Sequence, residues 1–116
     1  MKFEELRVRQ EAWELYDLLH PIFEQEQFRH FYFKDQILRA ALSISNNIAE
    51  WYESQTEKMK IKFLYISKWS AWEVRSMLYR ACNAWFINDK QFELLKDKAI
   101  KISVMLQKLI GSLFNK

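Results

Sequence analysis

Between Lys58 and Arg80 six cations (Lys58, Lys60, Lys62, Lys68, Arg75 and Arg80) stand against one acid, Glu73, with the large aromatics Tyr65, Trp69, Trp72 and Tyr79 among those threaded between them. These residue types suit nucleic acid: ammonium and guanidinium groups neutralise phosphates, and flat rings stack on unpaired bases. Lysines along a helix are also, by themselves, an ordinary solvated face. The aromatics follow a 4-3-7 rhythm that puts them on one side of a helix. That side is roughly opposite an apolar run made by Leu64, Ser67, Ala71, Val74, Leu78, Ala81 and Trp85. Three readings stay open: a helix at a bundle centre contacting two neighbours, a subunit interface, or a base-stacking platform on whose side Lys58, Lys62 and Arg80 also project.

Other reactive groups are sparse. A di-metal carboxylate bundle needs two Glu-x-x-His pairs and two further glutamates; here there is only Asp17-x-x-His20, beside Pro21, and an isolated His30. Both histidines are expected to be structural or solvent-exposed. Cys82 has no histidine near it in sequence and reads as a buried, inert thiol. Glu50 and Glu53 lack an acid-base partner, and Gly111, the one glycine, cannot build a phosphate-cradling loop. No catalytic residue, metal site or cofactor is expected.

The elements that must position these residues are helices. Half of the 116 residues are hydrophobic and 16% are aromatic, too many for a disordered chain. One glycine and one proline leave almost no turn punctuation for a multi-stranded sheet. A first helix is expected from residue 4 to about 20, with Val8, Ala12, Leu15 and Leu19 as its seam, Trp13 and Tyr16 on its shoulders, and Pro21 kinking or ending it. Residues 24–34 read as a connection whose aromatics, Phe28, Phe31, Tyr32 and Phe33, close one end of the core, with Asp35 as N-cap of the second helix.

That second helix, 37–52, carries Ile37, Ala41, Ile44, Ile48 and Trp51 on one stripe and Arg39, Ser43, Asn46 and Glu50 on another. Ser54 and Glu57 have capping-box spacing, so a third helix is expected from there to about residue 86. Asn88 with Gln91 caps a fourth, whose seam is Leu95, Ala99, Ile102, Leu106, Leu109 and Leu113, with Gly111 and Asn115 near its end. The expected fold is all-α, an antiparallel up-and-down four-helix bundle forming one domain over 1–116.

The net charge of +3 is mildly basic and compatible with a polyanionic partner. A single cysteine rules out an internal disulfide and fits a reducing cytoplasm. No membrane span or signal-peptide core is visible, so a cytoplasmic location is expected.

The segment from Gln36 through Arg39-Ala40-Ala41, Ser43-Ile44 and Asn46-Asn47-Ile48-Ala49-Glu50 resembles the signature of the bacterial four-helix-bundle proteins known as 23S rRNA intervening-sequence or S23-like proteins. The opening Phe3-Glu4-Glu5-Leu6-Arg7-Val8, with Gln10 and Ala12, matches that family's usual start. The resemblance covers nearly the whole chain. It implies a ring-shaped homo-oligomer, a pentamer, that binds RNA or DNA. The related accessory variability determinant of diversity-generating retroelements further implies a reverse transcriptase or other protein as partner. Where the family commonly has Gly after Ala-Glu this chain has Trp51, so the second helix is expected to run on toward Glu53; Ser45 and Arg9 replace a common Pro and Trp. The functional expectation is a non-enzymatic, self-associating accessory protein contacting structured RNA or DNA through Lys58, Lys60, Lys62, Lys68, Arg75, Arg80 and, to a lesser degree, Arg39. The alternative is a protein-interaction scaffold that binds no nucleic acid.

Overall fold

The computed structural model describes residues 2–115; Met1 and Lys116, the ends of the expected domain, lie outside the described residues. Four helices follow one another: α1 (Phe3–Phe23), α2 (Phe31–Glu53), α3 (Glu57–Asn83) and α4 (Asp89–Phe114). Each is about 30 Å long or more at 1.5 Å per residue. The connections, residues 24–30, 54–56 and 84–88, are too short to run back along a helix, because an extended residue spans at most about 3.6 Å. Consecutive helices must therefore be antiparallel. Each packs on two neighbours, α1 on α2 and α4, α3 on α2 and α4, while the backbones of the diagonal pairs make no close approach among the described residues. The result is the expected all-α up-and-down bundle, 48 × 22 × 20 Å.

The seams read from periodicity meet at its centre. Leu15, Leu19, Ile37, Ile44, Ile48, Leu64, Leu78, Leu95, Ile102 and Leu106 are fully buried, each contributing about 1.5–3 kcal/mol relative to exposure. On α4 the stripe drifts, so Ile110 is fully buried while Leu109 and Leu113 are only partly covered.

Several boundaries differ from expectation, each for a local reason. α1 does not stop at Pro21 but continues to Phe23, whose ring packs against Phe28 and Phe33 at 5.1 and 5.7 Å. Burying that ring offsets much of the roughly 3 kcal/mol that proline costs inside a helix. α2 starts at Phe31 with His30 at its N-cap, so Asp35 lies inside the helix rather than capping it. Phe28 and Phe33 do close the core end, meeting Phe86 edge-on at 5.0 and 5.2 Å, whereas Phe31 and Tyr32 turn to solvent. As expected without a glycine after Glu50, α2 runs to Glu53, and Trp51 is buried.

The capping box expected at Ser54 and Glu57 is replaced by Thr56, which accepts the Met59 amide at 3.2 Å. Ser54 instead ends α2, its hydroxyl donating to the Glu50 carbonyl at 2.6 Å. Asn88 and Gln91 form the reciprocal cap as read, at 2.7 and 2.9 Å.

The seventh seam position of the third helix is the largest departure. α3 ends at Asn83, and Trp85 adopts φ 64°, leaving its side chain 90% exposed. The Phe86 amide donates to the Ala81 carbonyl at 2.9 Å and the Trp85 amide to Cys82 at 3.1 Å, the bonding of a Schellman stop. This stop turns Trp85 outward and inserts Phe86 into the aromatic end in its place.

Candidate functional site

The core face of α3 includes small residues, Ser67, Ser70, Ala71 and Ala81, all buried. The Ser67 hydroxyl donates to the Ile44 carbonyl at 2.8 Å, and the Ser70 and Ser43 hydroxyls are hydrogen-bonded at 2.8 Å. These contacts set the rotation of α3 about its axis. With that face held against α2, the aromatic row points outward: Tyr65 is 46% exposed, Trp69 62%, Trp72 47% and Tyr79 50%. α3 is held to both of its neighbours by its buried face while all four rings of the row stay about half-exposed, so the bundle-centre reading of the row is set aside. Trp69 and Trp72 stack on each other at 5.0 Å and 29°, and Tyr79 meets Phe92 of α4 edge-on at 5.0 Å. Tyr65, Lys68, Trp69, Trp72, Arg75 and Ser103 line a shallow groove of about 340 Å³.

The six cations divide around this row. Helical spacing puts Lys58, Lys62 and Arg80 along one edge, all exposed. Lys68 and Arg75 form the other edge beside α4, half-buried, with the Lys68 ammonium donating to Gln107 Oε1. Lys60 is not brought to the row; it lines a separate pocket with Trp51, Tyr52 and Leu109. Arg39 is exposed on α2.

The signature residues of α2 fall into two groups. Asn47 Nδ2 donates to the Ser43 carbonyl at 2.8 Å and its hydroxyl at 3.0 Å, so Asn47 braces Ser43, whose hydroxyl meets Ser70 across the α2–α3 contact. Gln36 is half-buried, while Arg39, Asn46 and Glu50 face solvent.

The remaining reactive groups are dispersed. His20 packs on Tyr16 at 5.6 Å and His30 on Phe86 at 4.5 Å, both exposed at their outer edges. Cys82 is half-buried rather than buried; that partial burial, then Asp89 at 3.5 Å and Glu93, push its thiol above the ordinary range. Among the described residues no group of three His, Cys, Asp or Glu side chains could hold a metal ion, and no helix is long and apolar enough to cross a membrane.

Three features were not read from the sequence. Phe3, Leu6 and Trp13 make an exposed apolar row on the outward side of α1; their 3-7 spacing was the available signal. Trp85 is ejected by its left-handed backbone. Glu11, nearly buried, takes Lys98 and Lys101 at 2.9 Å each, with Glu14 on Lys98 at 2.7 Å; no local pattern links residues that far apart.

Comparison with known proteins supplies the relationship. No curated protein matches this chain. A crystal structure from Bacteroides thetaiotaomicron VPI-5482, described as a protein with unknown function from the S23 ribosomal protein family, is 22% identical, with a TM-score of 0.84 over 94% of this chain and 99% of that one. At that identity the likeness establishes a shared fold. The sequence profile of the 23S rRNA-intervening sequence proteins matches residues 4–108. With nearly its whole length inside that match, the chain belongs to the 23S rRNA-intervening sequence protein family.

Proposed function

We propose that this chain is a non-enzymatic, self-associating accessory protein, pentameric as the family resemblance implies, whose assembly contacts structured RNA or DNA. The observation that carries the reading is the solvent-facing pair Trp69 and Trp72, stacked on each other within a row of half-exposed rings. A contiguous apolar patch of this kind is rarely left in water by a monomer. The cations beside it supply phosphate contacts, with Lys58, Lys62 and Arg80 free of the groove and Arg39 on the adjoining helix. A reverse transcriptase or another protein is the partner that the resemblance adds.

Solution mass and nucleic-acid titration test the two halves. Purified protein should run well above 14.2 kDa and shift a structured RNA or DNA at low salt. Five neutralised phosphates would cost on the order of several hundred-fold in affinity between about 50 and 200 mM salt. Replacing Lys58, Lys62 and Arg80 together by Gln should weaken binding and reduce that slope by about 2–3. An oligomer that captures no nucleic acid at low salt favours the scaffold alternative, and a monomer removes the self-association.

A further inference from the structure

We infer that the groove between α1 and α4 binds a free anionic amphiphile, a single-chain carboxylate of the fatty-acid class. Its head would sit at Arg7 and Lys108 and its chain along Phe3, Val104, Met105 and Leu109. All six residues line one groove of about 680 Å³, within the range of small-molecule sites, which pair a mostly apolar lining with a few placed polar groups. The aromatic groove of about 340 Å³ lies on the other side of α4, where Ser103 lines it. None of the α3 residues assigned above takes part, so this site stands or falls apart from the nucleic-acid reading.

The apolar part is fixed. Met105 and Leu109 pack on the core and are partly buried, which holds the floor in place. Phe3 and Val104, 69% and 49% exposed, stand beside it as walls that an acyl chain would take out of water.

The charged groups of the lining differ in what they are free to do. Lys101 is held by Glu11 at 2.9 Å, and the Glu5 carboxylate accepts the Lys2 amide at 2.7 Å in the cap of α1. Arg7 and Lys108 are exposed and form no ion pair among the described residues. The Arg7 guanidinium stands over the Phe3 ring at 5.9 Å; stacking of this kind leaves its N–H fork available to a carboxylate. Glu4, exposed and likewise without an ion pair among the described residues, is the opposing charge in the lining. Two available cations beside an apolar floor select an anion with an apolar body. A cationic amphiphile buries the same chain but gains nothing from Arg7 and Lys108, and a bare polyanion has no use for the floor.

Calorimetric titration of the full chain with octanoate, decanoate and dodecanoate, each below its micelle concentration, tests this. Affinity should rise by up to about three- to fourfold per added methylene, and dodecyltrimethylammonium should bind at least about tenfold more weakly than dodecanoate. Arg7→Gln with Lys108→Gln should weaken dodecanoate at least about tenfold while keeping the dependence on chain length. Glu4→Gln should tighten it by about two- to threefold. Val104→Glu, which puts a charge on the wall, should abolish it, whereas Lys90→Gln should leave it unchanged. No dodecanoate binding, an affinity indifferent to chain length, or equal binding of the ammonium amphiphile overturns the proposal. So does full affinity in either the Val104 variant or the Arg7 and Lys108 variant. Sedimentation with phosphatidylglycerol vesicles without dodecanoate binding would make the groove a membrane-docking face. A fall in solution mass on Val104→Glu without dodecanoate binding would make it a contact between copies. Either result overturns the proposal. Circular dichroism checks the fold, and if Val104→Glu loses it, the Arg7 and Lys108 variant, both side chains exposed, carries the test.

Discussion

The hydroxyl of Ser67, fully buried in α3, donates to the backbone carbonyl of Ile44 in α2 at 2.8 Å. Ile44 lies inside α2, where its carbonyl can also accept the intrahelical bond, so loss of the hydroxyl orphans no buried acceptor. Size matters more here than polarity. Ser67→Ala should cost only about 0.5–1 kcal/mol, whereas Ser67→Leu must push the helices apart and should cost about 2–3 kcal/mol. Urea denaturation midpoints measure both. Equal costs would show that the hydrogen bond rather than the close approach holds this pair.

Trp85 holds φ 64° with its ring almost wholly in solvent. A left-handed conformation costs a residue with a Cβ about 1–2 kcal/mol, and glycine pays part of that back in unfolded-state entropy. Trp85→Gly should raise stability by about 0.5–1 kcal/mol, or a few degrees in Tm. Trp85→Ala keeps the strain and should change little. Thermal unfolding followed by circular dichroism separates the two, and a destabilised glycine variant would mean the ring packs on the bundle after all.

Glu11 joins α1 to α4. Burial raises its pKa, but hydrogen bonds and charge from Lys98 and Lys101 outweigh that and hold the carboxyl below its ordinary 4.5. Its contribution is therefore complete above about that pH and is lost as pH falls through the lower folded value. Lys98 runs the other way. Burial lowers its pKa, Glu14 and Glu11 raise it beyond its ordinary 10.5, and its contribution disappears only as pH rises through the higher folded value. Glu11→Gln should cost about 1–2 kcal/mol at pH 7, and the gap from wild type should narrow in strong acid. A gap that stays constant as the pH is lowered would assign the cost to packing instead.

Cys82 is expected to react slowly. Partial burial, followed by the carboxylates of Asp89 and Glu93, disfavours its thiolate. Asp89→Asn should speed alkylation by iodoacetamide near pH 8 by about two- to fivefold. No change in rate would leave burial and Glu93 as the restraints.

Helix number, helix order, the core stripes and the Asn88–Gln91 cap were legible in the residues, because three- and four-residue spacing and a cap three residues away are local relationships. The aromatic row was visible as a pattern too. Its exposure was not. Whether a second face is buried depends on how many neighbours a helix has, and only the square packing, with α1 and α3 on a diagonal, leaves both Trp69 and Trp13 outside. Tertiary contacts likewise decided the ends: Phe86, packing with Phe28 and Phe33, accompanies the stop of α3 at Asn83, two residues before the position where periodicity placed Trp85 in the core. The Glu11–Lys98 ion pair has the same origin. Its partners are 87 residues apart in the chain, and sequence spacing carries no signal for side chains that meet only once α4 has returned to lie beside α1.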